Sequence, residues 1–409
     1  MRFFLTLILL LTNTLFGWGS GSVSAQASDE LTAAAINGES AILIDGTTGQ
    51  VLFQKNPHVT LYPASITKIA TGIYAIENGN PDDIVTVSKK ARYEDGTRVY
   101  LGEGEQVSLK KLEYGLLMHS GNDAATAIAE HLAGTTEKFA ERLNEYLAEK
   151  VGVTETHFAN AHGLHDPNHY TTAADMAKIA QYAMKNPIFR EIVATKRLPW
   201  DGREWKSELI NHNKMLWRYE GATGIKNGFT DEARHTLVVS AKRGGSEFIA
   251  VTMKASSSAL AYQDVTQMLD YGFAHYETRQ VAKAGDRFTL ATAAASERRE
   301  EFTAPSDLFV TVPIGSEPQI EVTPQGMLRV QAGTFTQEFS LKRKEQPEIP
   351  ARLLAISSSD QTGSESQTAR YAILFTWLLL NIMLVFYVVA RAKKRRRSTS
   401  HQDWRRRVG

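Results

Sequence analysis

Apolar and polar positions follow two different periods in the first part of the chain, and each period predicts a different element. Residues 41–45 and 51–55 are short β-prone runs joined by a turn rich in Gly and Thr, which predicts a β-hairpin. Over residues 65–77 the apolar side chains recur at helical spacing, and Gly79 and Pro81 end the pattern. A hairpin followed by an amphipathic helix is therefore predicted here.

The same two periods continue to about residue 276. Helical spacing recurs over residues 107–118, 123–133, 136–151, 171–184 and 265–276. Thr172 and Asp175 have the spacing of a capping box at the start of one of these helices. Two β-rich runs, 236–241 and 248–253, flank a short polar turn and predict a second hairpin. Helices and hairpins are thus mixed through this part of the chain.

After Thr278 the helical pattern disappears, and short alternating segments separated by turn residues replace it. These segments are residues 287–291, 308–312, 319–323, 327–330 and 335–341. The pattern predicts a small all-β domain over residues 277–345. Residues 346–370 are rich in Ser, Gln and Thr and predict a flexible linker, within which 351–356 has the composition of a short helix.

The N-terminal residues have the three parts of a secretory signal peptide. Arg2 gives the positive start, residues 3–11 form an apolar run, and Ala25-Gln-Ala27 resembles a cleavage site, with Val23-Ser-Ala25 as a second choice. The apolar run is too short for a membrane-spanning helix. Residues 1–27 are therefore predicted to be a signal peptide that is removed on export.

The C-terminal part predicts a single membrane-spanning helix. Residues 371–390 carry no charged side chain and are long enough to cross a hydrocarbon layer of ~30 Å. Residues 391–409 follow with two basic clusters, and positive residues favour the cytoplasmic side of a membrane. The prediction is a protein of the cell membrane with one anchoring helix, a basic cytoplasmic tail and an extracytoplasmic body.

Composition narrows the chemistry that the chain can perform. Of the 409 residues, 43% are hydrophobic and 22% are charged, as in globular proteins, and the formal net charge of +1 gives no overall basis for binding nucleic acid. The chain has no cysteine, which excludes disulfides, thiolate metal sites and a cysteine nucleophile. A nucleophile must therefore come from another residue type.

Ser65 and Lys68 are the first candidates for catalysis. Residues three apart at a helix start lie on the same face, with Cβ atoms about 5–6 Å apart. A serine is a poor nucleophile unless a base takes its proton, and a lysine can be that base when burial or nearby cations lower its pKa. The pair alone is weak evidence, since a serine N-cap beside a solvated lysine gives the same spacing.

Two further short motifs strengthen the case for a shared site. Ser120-Gly-Asn122 lies at a break between two predicted helices, and Lys226-Asn-Gly228 precedes the second hairpin. Each motif alone is an ordinary turn signal. The presence of all three in this order favours one catalytic site over three unrelated turns.

The order and separation of these motifs resemble those of the penicilloyl serine transferases. In particular, the chain resembles the low-molecular-mass penicillin-binding proteins, the D-alanyl-D-alanine carboxypeptidases of serine peptidase family S11, in which the Gly of Ser120-Gly-Asn122 is typical. Residues 41–52, 156–164 and 170–175 also resemble segments of that family, and the likeness is strong over residues 33–276. The resemblance implies a serine-type carboxypeptidase that needs no cofactor.

The resemblance also implies a fold. Residues 28–276 would form a catalytic domain of the α/β (α+β) class, with an antiparallel sheet flanked by helices and a helical subdomain. The site would lie between the two. The all-β domain and the C-terminal transmembrane helix match the usual layout of this family.

By the same resemblance, Ser65 would attack the penultimate D-Ala of a peptidoglycan stem peptide and form an acyl-enzyme. Lys68 would be the base, and Ser120 would relay a proton to the leaving amine. Asn122 would bind the substrate backbone and hold Lys68. Lys226 would help to keep Lys68 neutral and would attract the terminal carboxylate of the substrate.

The third motif would supply the substrate-binding strand. Asn227, Gly228, Phe229 and Thr230 are the implied contacts, and the backbone N–H groups of Ser65 and Phe229 would form the oxyanion hole. The expected partners are stem peptides ending in D-Ala-D-Ala and, as covalent inhibitors, β-lactams. Neither a metal nor nucleic acid is expected.

Two positions depart from the family pattern. Position 227 is Asn where the family usually has Thr, whose hydroxyl helps to bind the substrate carboxylate. Residues 254–260 also contain no Arg, although many relatives place a carboxylate-binding Arg there. Lys254 and Arg234 are candidate substitutes. These departures leave the efficiency of turnover open.

Three other interpretations are considered. A β-lactamase would need a deacylating carboxylate, for which Glu155 is a candidate. A catalytically weakened protein that binds or senses D-Ala-D-Ala ends or β-lactams is suggested by Asn227. A zinc site is suggested by the following cluster: His157, His162, His165 and His169, with Asp166. The cluster also matches a loop of the family, so no metal is predicted.

Overall fold

The computed structural model describes residues 30–290, 300–344 and 367–405, with the side chains of the last segment described only over 371–391 and at Lys393. Two units are distinguished, one ending at Lys344 and one beginning at Glu345. The predicted signal peptide and nearly all of the predicted linker lie outside the described residues.

Helices and short helical turns account for much of the first unit. Among the described residues, the α-helices are α1 (Lys68–Asn78), α2 (Lys89–Arg92), α3 (Leu109–Met118), α4 (Asn122–Ala133), α5 (Thr136–Tyr146), α6 (Ala173–Ala183), α7 (Pro187–Ala194), α8 (Met215–Arg218), α9 (Ser258–His275) and α10 (Gln367–Arg405). Two 3₁₀ turns lie at Ala33–Ala35 and Ala64–Thr67, and a π-helical turn lies at Leu147–Val151.

Strands occur on both sides of these helices in the chain. The strands of the described residues are β1 (Ser40–Asp45), β2 (Val51–Lys55), β3 (Ile84–Thr86), β4 (Gln106–Ser108), β5 (Arg197–Asp201), β6 (Lys206–Ile210), β7 (Ala222–Thr230), β8 (Arg234–Arg243), β9 (Ser246–Ala255), β10 (Tyr276–Ala282), β11 (Arg287–Leu290), β12 (Glu300–Thr303), β13 (Leu308–Pro313), β14 (Gln319–Val322), β15 (Met327–Ala332), β16 (Phe335–Ser340) and β17 (Lys342–Arg343).

A five-stranded antiparallel sheet organises the first unit, in the order β2-β1-β9-β8-β7. Side chains alternate between its faces. On one face Val238 and Val251 join a buried cluster with α1, α3, α4 and α6. On the other face Leu237 and Ala250 pack with α9. The result is a mixed α/β fold, as the sequence predicted, with helices on both faces of the sheet.

Two helices begin at other residues than their apolar spacing predicts, because a capping side chain sets the first residue of each. α3 begins at Leu109 because Ser108 accepts a hydrogen bond from Lys111 N–H, and the preceding residues pair with β3. α9 begins seven positions earlier than the pattern predicted, because Ser257 caps it. Thr172 caps α6 as predicted.

The Lys226-Asn-Gly228 motif does not form a hairpin turn, although its sequence alone is an ordinary turn signal. It lies within the nine-residue strand β7, paired with β8 from Ala222 to Thr230. β7 is an outer strand of the sheet. Lys226 and Gly228 therefore share one face of the strand, and Asn227 and Phe229 share the other.

The described residues between 276 and 343 contain the strands β10 to β17, and a buried cluster that includes Val310, Val312 and Leu328 packs among them. This segment is joined to the central sheet, since Asp45 at the end of β1 accepts hydrogen bonds from Thr278 (2.6 Å) and Thr311 (2.9 Å). It belongs to the same unit as the sheet. Its status as a separate domain over residues 277–345 stays a prediction.

In the second unit, α10 contains one segment that is long and apolar enough to cross a membrane, Tyr371–Arg391. It coincides with the span predicted from the sequence, residues 371–390. Length and composition make it a candidate anchor.

Candidate active site

The turn that carries Ser65 is a short 3₁₀ segment leading into α1, and Lys68 is the first residue of that helix. Ala64 has a left-handed backbone (φ +52°), which places Ser65 at a sharp bend. Thr67 Oγ1 donates to Ala64 O at 2.9 Å, and Thr236 Oγ1 donates to Pro63 O at 2.8 Å. The bend is therefore held from within the turn and from β8.

Lys68 lies at the centre of the site and has no exposed surface. Its Nζ is 3.0 Å from Ser65 Oγ, 2.7 Å from Asn122 Oδ1 and 2.6 Å from the backbone oxygen of His162. Burial holds the pKa of Lys68 well below its ordinary value, and the charge of Lys226 lowers it further. The amine thus lies within hydrogen-bond distance of Ser65 Oγ, and its surroundings disfavour its charged form.

The second motif is held at the junction between α3 and α4. Ser120 is buried and has a left-handed backbone (φ +65°). Asn122 N–H donates to Thr97 O at 2.7 Å, and its Nδ2 donates to Asp95 O at 2.6 Å. Because Nδ2 is occupied in this way, Oδ1 of Asn122 faces Lys68.

Lys226 is the second buried amine, and burial lowers its pKa to about 7. Its Nζ donates to Asn227 O at 2.9 Å. The charge of Lys226 in turn lowers the pKa of Lys68. The structure therefore brings the first and third motifs into one electrostatic unit.

Gly228 allows β7 to pass directly beside the nucleophile. A Cβ at this position would lie 2.7 Å from the backbone nitrogen of Ser65 and 2.6 Å from Thr236 Oγ1. Neither distance is compatible with a real Cβ. The glycine is therefore a steric requirement of the close approach between β7 and the Ser65 turn.

The other residues of the third motif differ in their surroundings. The carboxamide oxygen of Asn227 is buried and accepts no hydrogen bond from the part of the chain that the structure describes. Phe229 is 51% exposed, and its ring lies 4.6 Å from that of His235. Thr230 Oγ1 accepts from Ala233 N–H at 3.1 Å, so this hydroxyl oxygen helps to close the turn after β7.

The two cations considered as substitutes for the missing Arg are placed differently. Lys254 forms an ion pair with Glu39 at 2.6 Å and lines a cavity with Tyr62 and Glu232. Arg234 is exposed at the start of β8. The structure thus gives Lys254 a partner of its own.

The loop that contains the histidine cluster supports the site through its backbone, which the sequence did not predict. His162 supplies the carbonyl that Lys68 contacts, and Ala161 O accepts from Thr71 Oγ1 at 2.7 Å. Gly163 (φ +89°) lies so close to the Ser65 turn that a Cβ would be 1.9 Å from Ala64 O. Sequence motifs are recognised by their side chains, so they do not show which backbone carbonyl contacts the catalytic lysine.

The histidines of this loop have structural partners. His169 accepts Ala159 N–H at Nδ1 (3.0 Å), and its Nε2 lies 2.7 Å from Thr67 Oγ1. Burial lowers the pKa of His162 and of His169 to about 3, so both are neutral. Within the described ranges, no group of three or more His, Asp or Glu side chains could hold a metal ion.

A second feature missed from the sequence is a pair of imidazoles beside the second and third motifs. The rings of His119 and His212 are 4.6 Å apart, and His212 N–H donates to Met118 O at 3.1 Å. Burial and the charge of Lys226 lower the pKa of His212 to about 3. The pair links the loop before Ser120 to the loop before α8.

Glu155, the candidate deacylating carboxylate, contacts His58. The Oε2 atom of Glu155 lies 2.6 Å from His58 Nδ1, and both side chains are well exposed. This pairing does not favour a β-lactamase.

Comparison with known proteins agrees with this geometry. Residues 25–257 match the sequence profile of the peptidase S11 family, D-alanyl-D-alanine carboxypeptidase. The chain is 33% identical over 303 residues to D-alanyl-D-alanine carboxypeptidase DacF of Bacillus subtilis, covering 72% of this chain and 76% of that one. It is also 33% identical to DacD of Escherichia coli, covering 69% of this chain and 74% of that one.

Solved structures show the same likeness. The structure of penicillin-binding protein 5 from Haemophilus influenzae matches with a TM-score of 0.69 at 27% identity, covering 78% of this chain and 99% of that one. The chain belongs to the D-alanyl-D-alanine carboxypeptidase family, peptidase S11.

Proposed function

We propose that this chain removes the terminal D-alanine from peptidoglycan stem peptides through an acyl-enzyme on Ser65. The observation that carries the proposal is the 3.0 Å contact between Ser65 Oγ and the fully buried, pKa-lowered amine of Lys68. An exposed lysine beside a serine would stay protonated and could not take a proton. Family membership supports the same activity.

The acylation step follows from the surroundings of Lys68. A neutral amine has two N–H groups, and Asn122 Oδ1 and His162 O are placed to accept both. Its lone pair is then available to the Ser65 hydroxyl. Lys68 takes that proton as Ser65 Oγ attacks the carbonyl carbon of the penultimate D-Ala.

The leaving amine needs a proton, and the negatively charged oxygen of the tetrahedral intermediate needs hydrogen-bond donors. Ser120 relays the proton, since a hydroxyl can donate and accept at once. The backbone N–H groups of Ser65 and Phe229 form the oxyanion hole, and loss of one such donor typically costs about 10²–10³ in rate. The proximity of β7 to the nitrogen of Ser65 supports this assignment.

Substrate binding is assigned to the strand β7 and to the second motif. Lys226, still largely protonated below its pKa of about 7, attracts the terminal carboxylate of the substrate. Asn227, Gly228, Phe229 and Thr230 line the path of the peptide, and Asn122 binds its backbone. Water then releases the acyl group. With a β-lactam the opened ring stays attached, so the acyl-enzyme persists.

The cellular setting is also a proposal. Residues 1–27 would direct export, and the candidate span Tyr371–Arg391 would anchor the chain, with residues 391–409 in the cytoplasm. The mixed α/β catalytic region would then face the cell wall. The test is protease treatment of sealed inside-out membrane vesicles. The protease should cleave the tail, which faces the outside of these vesicles, and should leave the catalytic region intact.

The direct test uses the full-length chain in detergent micelles. D-alanine release from diacetyl-Lys-D-Ala-D-Ala is measured beside labelling by a fluorescent penicillin, with Ser65→Ala as the control. The expected result is release and Ser65-dependent labelling. Labelling without release would instead indicate a binding or sensing protein, and no labelling of the wild-type chain would refute acylation of Ser65.

A further inference from the structure

A cavity of about 700 Å³ lies beside the outer strand β7. Asn227, Gly228 and Phe229 line it from β7, and residues of α8 and of the start of α9 also line it. Pockets of about 300–1,000 Å³ take whole small molecules, so this volume greatly exceeds the needs of an alanine methyl group. The cavity is therefore not explained by D-alanine as the leaving residue.

The position of the cavity assigns it to the leaving side of the reaction. Lys226, the proposed partner of the terminal carboxylate, immediately precedes Asn227 in β7. Gly228, which passes directly beside the backbone nitrogen of Ser65, lines the cavity, and so does Asn227, whose backbone oxygen accepts from Lys226 Nζ at 2.9 Å. The carboxamide oxygen of Asn227 is buried and has no hydrogen-bond partner among the described residues.

The charges of the cavity wall have one sign. Arg197, Lys214 and Arg218 line it, and none of its described lining residues is Asp or Glu. Arg197 is paired with Glu208 at 2.6 Å. In the described ranges Lys214 and Arg218 have no acidic group within 4.0 Å. A cleft whose charged side chains are all cations concentrates anions.

Apolar side chains complete the wall. Trp217 and Ile210 line the cavity and are 43% and 45% exposed, so their apolar surfaces are accessible to a bound molecule. Trp217 and Tyr262 lie on the same cavity as Lys214. The combination suits a residue with an aliphatic stem that ends in an anionic group.

We propose that this cavity binds a leaving D-residue larger than alanine that carries a second anionic group on its side chain. The inference rests on the proposed function, because it concerns the residue released when Ser65 is acylated. The covalent step is unchanged: Ser65 Oγ bonds to the D-Ala carbonyl carbon, the C–N bond breaks, and the leaving nitrogen takes the proton. Lys214 and Arg218 hold the second anionic group, while Lys226 holds the α-carboxylate.

The test compares three peptides, diacetyl-Lys-D-Ala followed by D-Ala, D-Glu or D-Gln. D-Glu and D-Gln have nearly the same size, so their difference reports charge. We expect the kcat/KM of the D-Glu peptide to exceed that of the D-Gln peptide by about tenfold or more at low salt, because charge-assisted hydrogen bonds are the stronger ones. High salt should shrink the ratio.

Two variants distinguish specific binding of the second anionic group from nonspecific attraction of an anionic peptide. Lys214→Gln with Arg218→Gln should reduce the D-Glu to D-Gln ratio to about one. Lys242→Gln, which removes an exposed charge near the end of β8, should leave the ratio unchanged. An equal loss for all three peptides in the double variant would assign these cations to the α-carboxylate and overturn the proposal. A wild-type ratio of one would also overturn it.

Failure of the proposed function can be recognised separately. If no peptide is cleaved and no penicillin label forms, acylation of Ser65 is refuted. Calorimetric titration of Ser65→Ala with the D-Glu and D-Gln peptides still tests the cavity, because binding needs no acylation. Tighter binding of the D-Glu peptide, abolished in the Lys214→Gln and Arg218→Gln background, supports the proposal, and equal binding refutes it.

Discussion

The amine of Lys68 lies 2.7 Å from Oδ1 of Asn122, and Nδ2 of the same Asn122 is occupied by Asp95 O at 2.6 Å. The side-chain amide therefore presents its oxygen to the amine and cannot rotate without losing a hydrogen bond. This contact couples the second motif to the base of the first. The contact fixes the direction of one N–H group of Lys68 and thereby the direction in which the lone pair of the neutral amine can point.

Lys68 should be indispensable for acylation. Removal of a general base typically costs about 10²–10⁴ in rate, so Lys68→Ala should slow labelling by a fluorescent penicillin by that factor. Lys68→Arg should be similarly slow, because a guanidinium is not deprotonated in proteins. Near-normal labelling of Lys68→Arg, in a protein with unchanged near-ultraviolet circular dichroism, would contradict the role of Lys68 as base.

Much of this site could be predicted from the sequence because its side chains come from three compact motifs. The spacing of the motifs and a family resemblance predict Ser65, Lys68, Ser120, Asn122 and Lys226 as site residues. In the structure Lys68 contacts Ser65 and Asn122, and the catalytic roles stay a prediction.

What the sequence could not give depends on the backbone or on distant packing. The contact from Lys68 to the His162 carbonyl uses a group that every residue has, so it leaves no mark in the composition. Asn227 and Gly228 favour turns in isolation, but pairing with β8 places them in a strand. The cations of the β7 cavity, including Lys214 and Arg218, come from segments without a catalytic motif.

The kcat/KM for the D-Ala-D-Ala peptide should depend on pH in a bell-shaped manner. Acylation needs neutral Lys68, whose pKa is lowered, so the rate rises with pH as this amine loses its proton. Binding of the carboxylate needs protonated Lys226, whose pKa is about 7, so KM for the D-Ala-D-Ala peptide should rise above about pH 7. Measurements of kcat and KM across pH separate the two effects. A KM that is flat through this range would contradict the assignment of Lys226.

A methyl group at position 228 should abolish acylation without unfolding the protein. The Cβ of Gly228→Ala would lie 2.7 Å from the nitrogen of Ser65, so β7 or the turn must move. Gly245→Ala is the matched control, since its Cβ would meet only Thr278 O at 3.8 Å. We expect loss of penicillin labelling in the first variant alone. Equal labelling of both would show that the close approach is not required.

Restoring a hydroxyl at position 227 should improve turnover. The carboxamide of Asn227 can also donate to a substrate carboxylate, but it is longer than a Thr side chain, and its buried oxygen has no partner in the described structure. A Thr hydroxyl donates without burying an unpaired oxygen of this kind. A hydrogen bond to a charged group contributes about 1.5–3 kcal/mol, which corresponds to about tenfold or more in kcat/KM for Asn227→Thr. Asn227→Val, which matches the shape of Thr without the hydroxyl, is the control. An equal gain in both variants would attribute the effect to size.

Replacement of Lys226 by Met should stabilise the fold while it weakens substrate binding. Burial lowers the pKa of Lys226 to about 7 from an ordinary value of 10.5, so the folded state disfavours the charged amine. Below about pH 7 both the folded and the unfolded states are protonated, and the full penalty applies. Between pH 7 and the unfolded pKa only the unfolded state keeps the proton, and the penalty declines as pH rises. The gain in Tm for Lys226→Met should therefore be largest below pH 7 and small near pH 10.

Lys242→Met, at an exposed position, should show no such pH dependence. A gain in Tm that does not change with pH would mean that the buried charge of Lys226 is not what destabilises the fold.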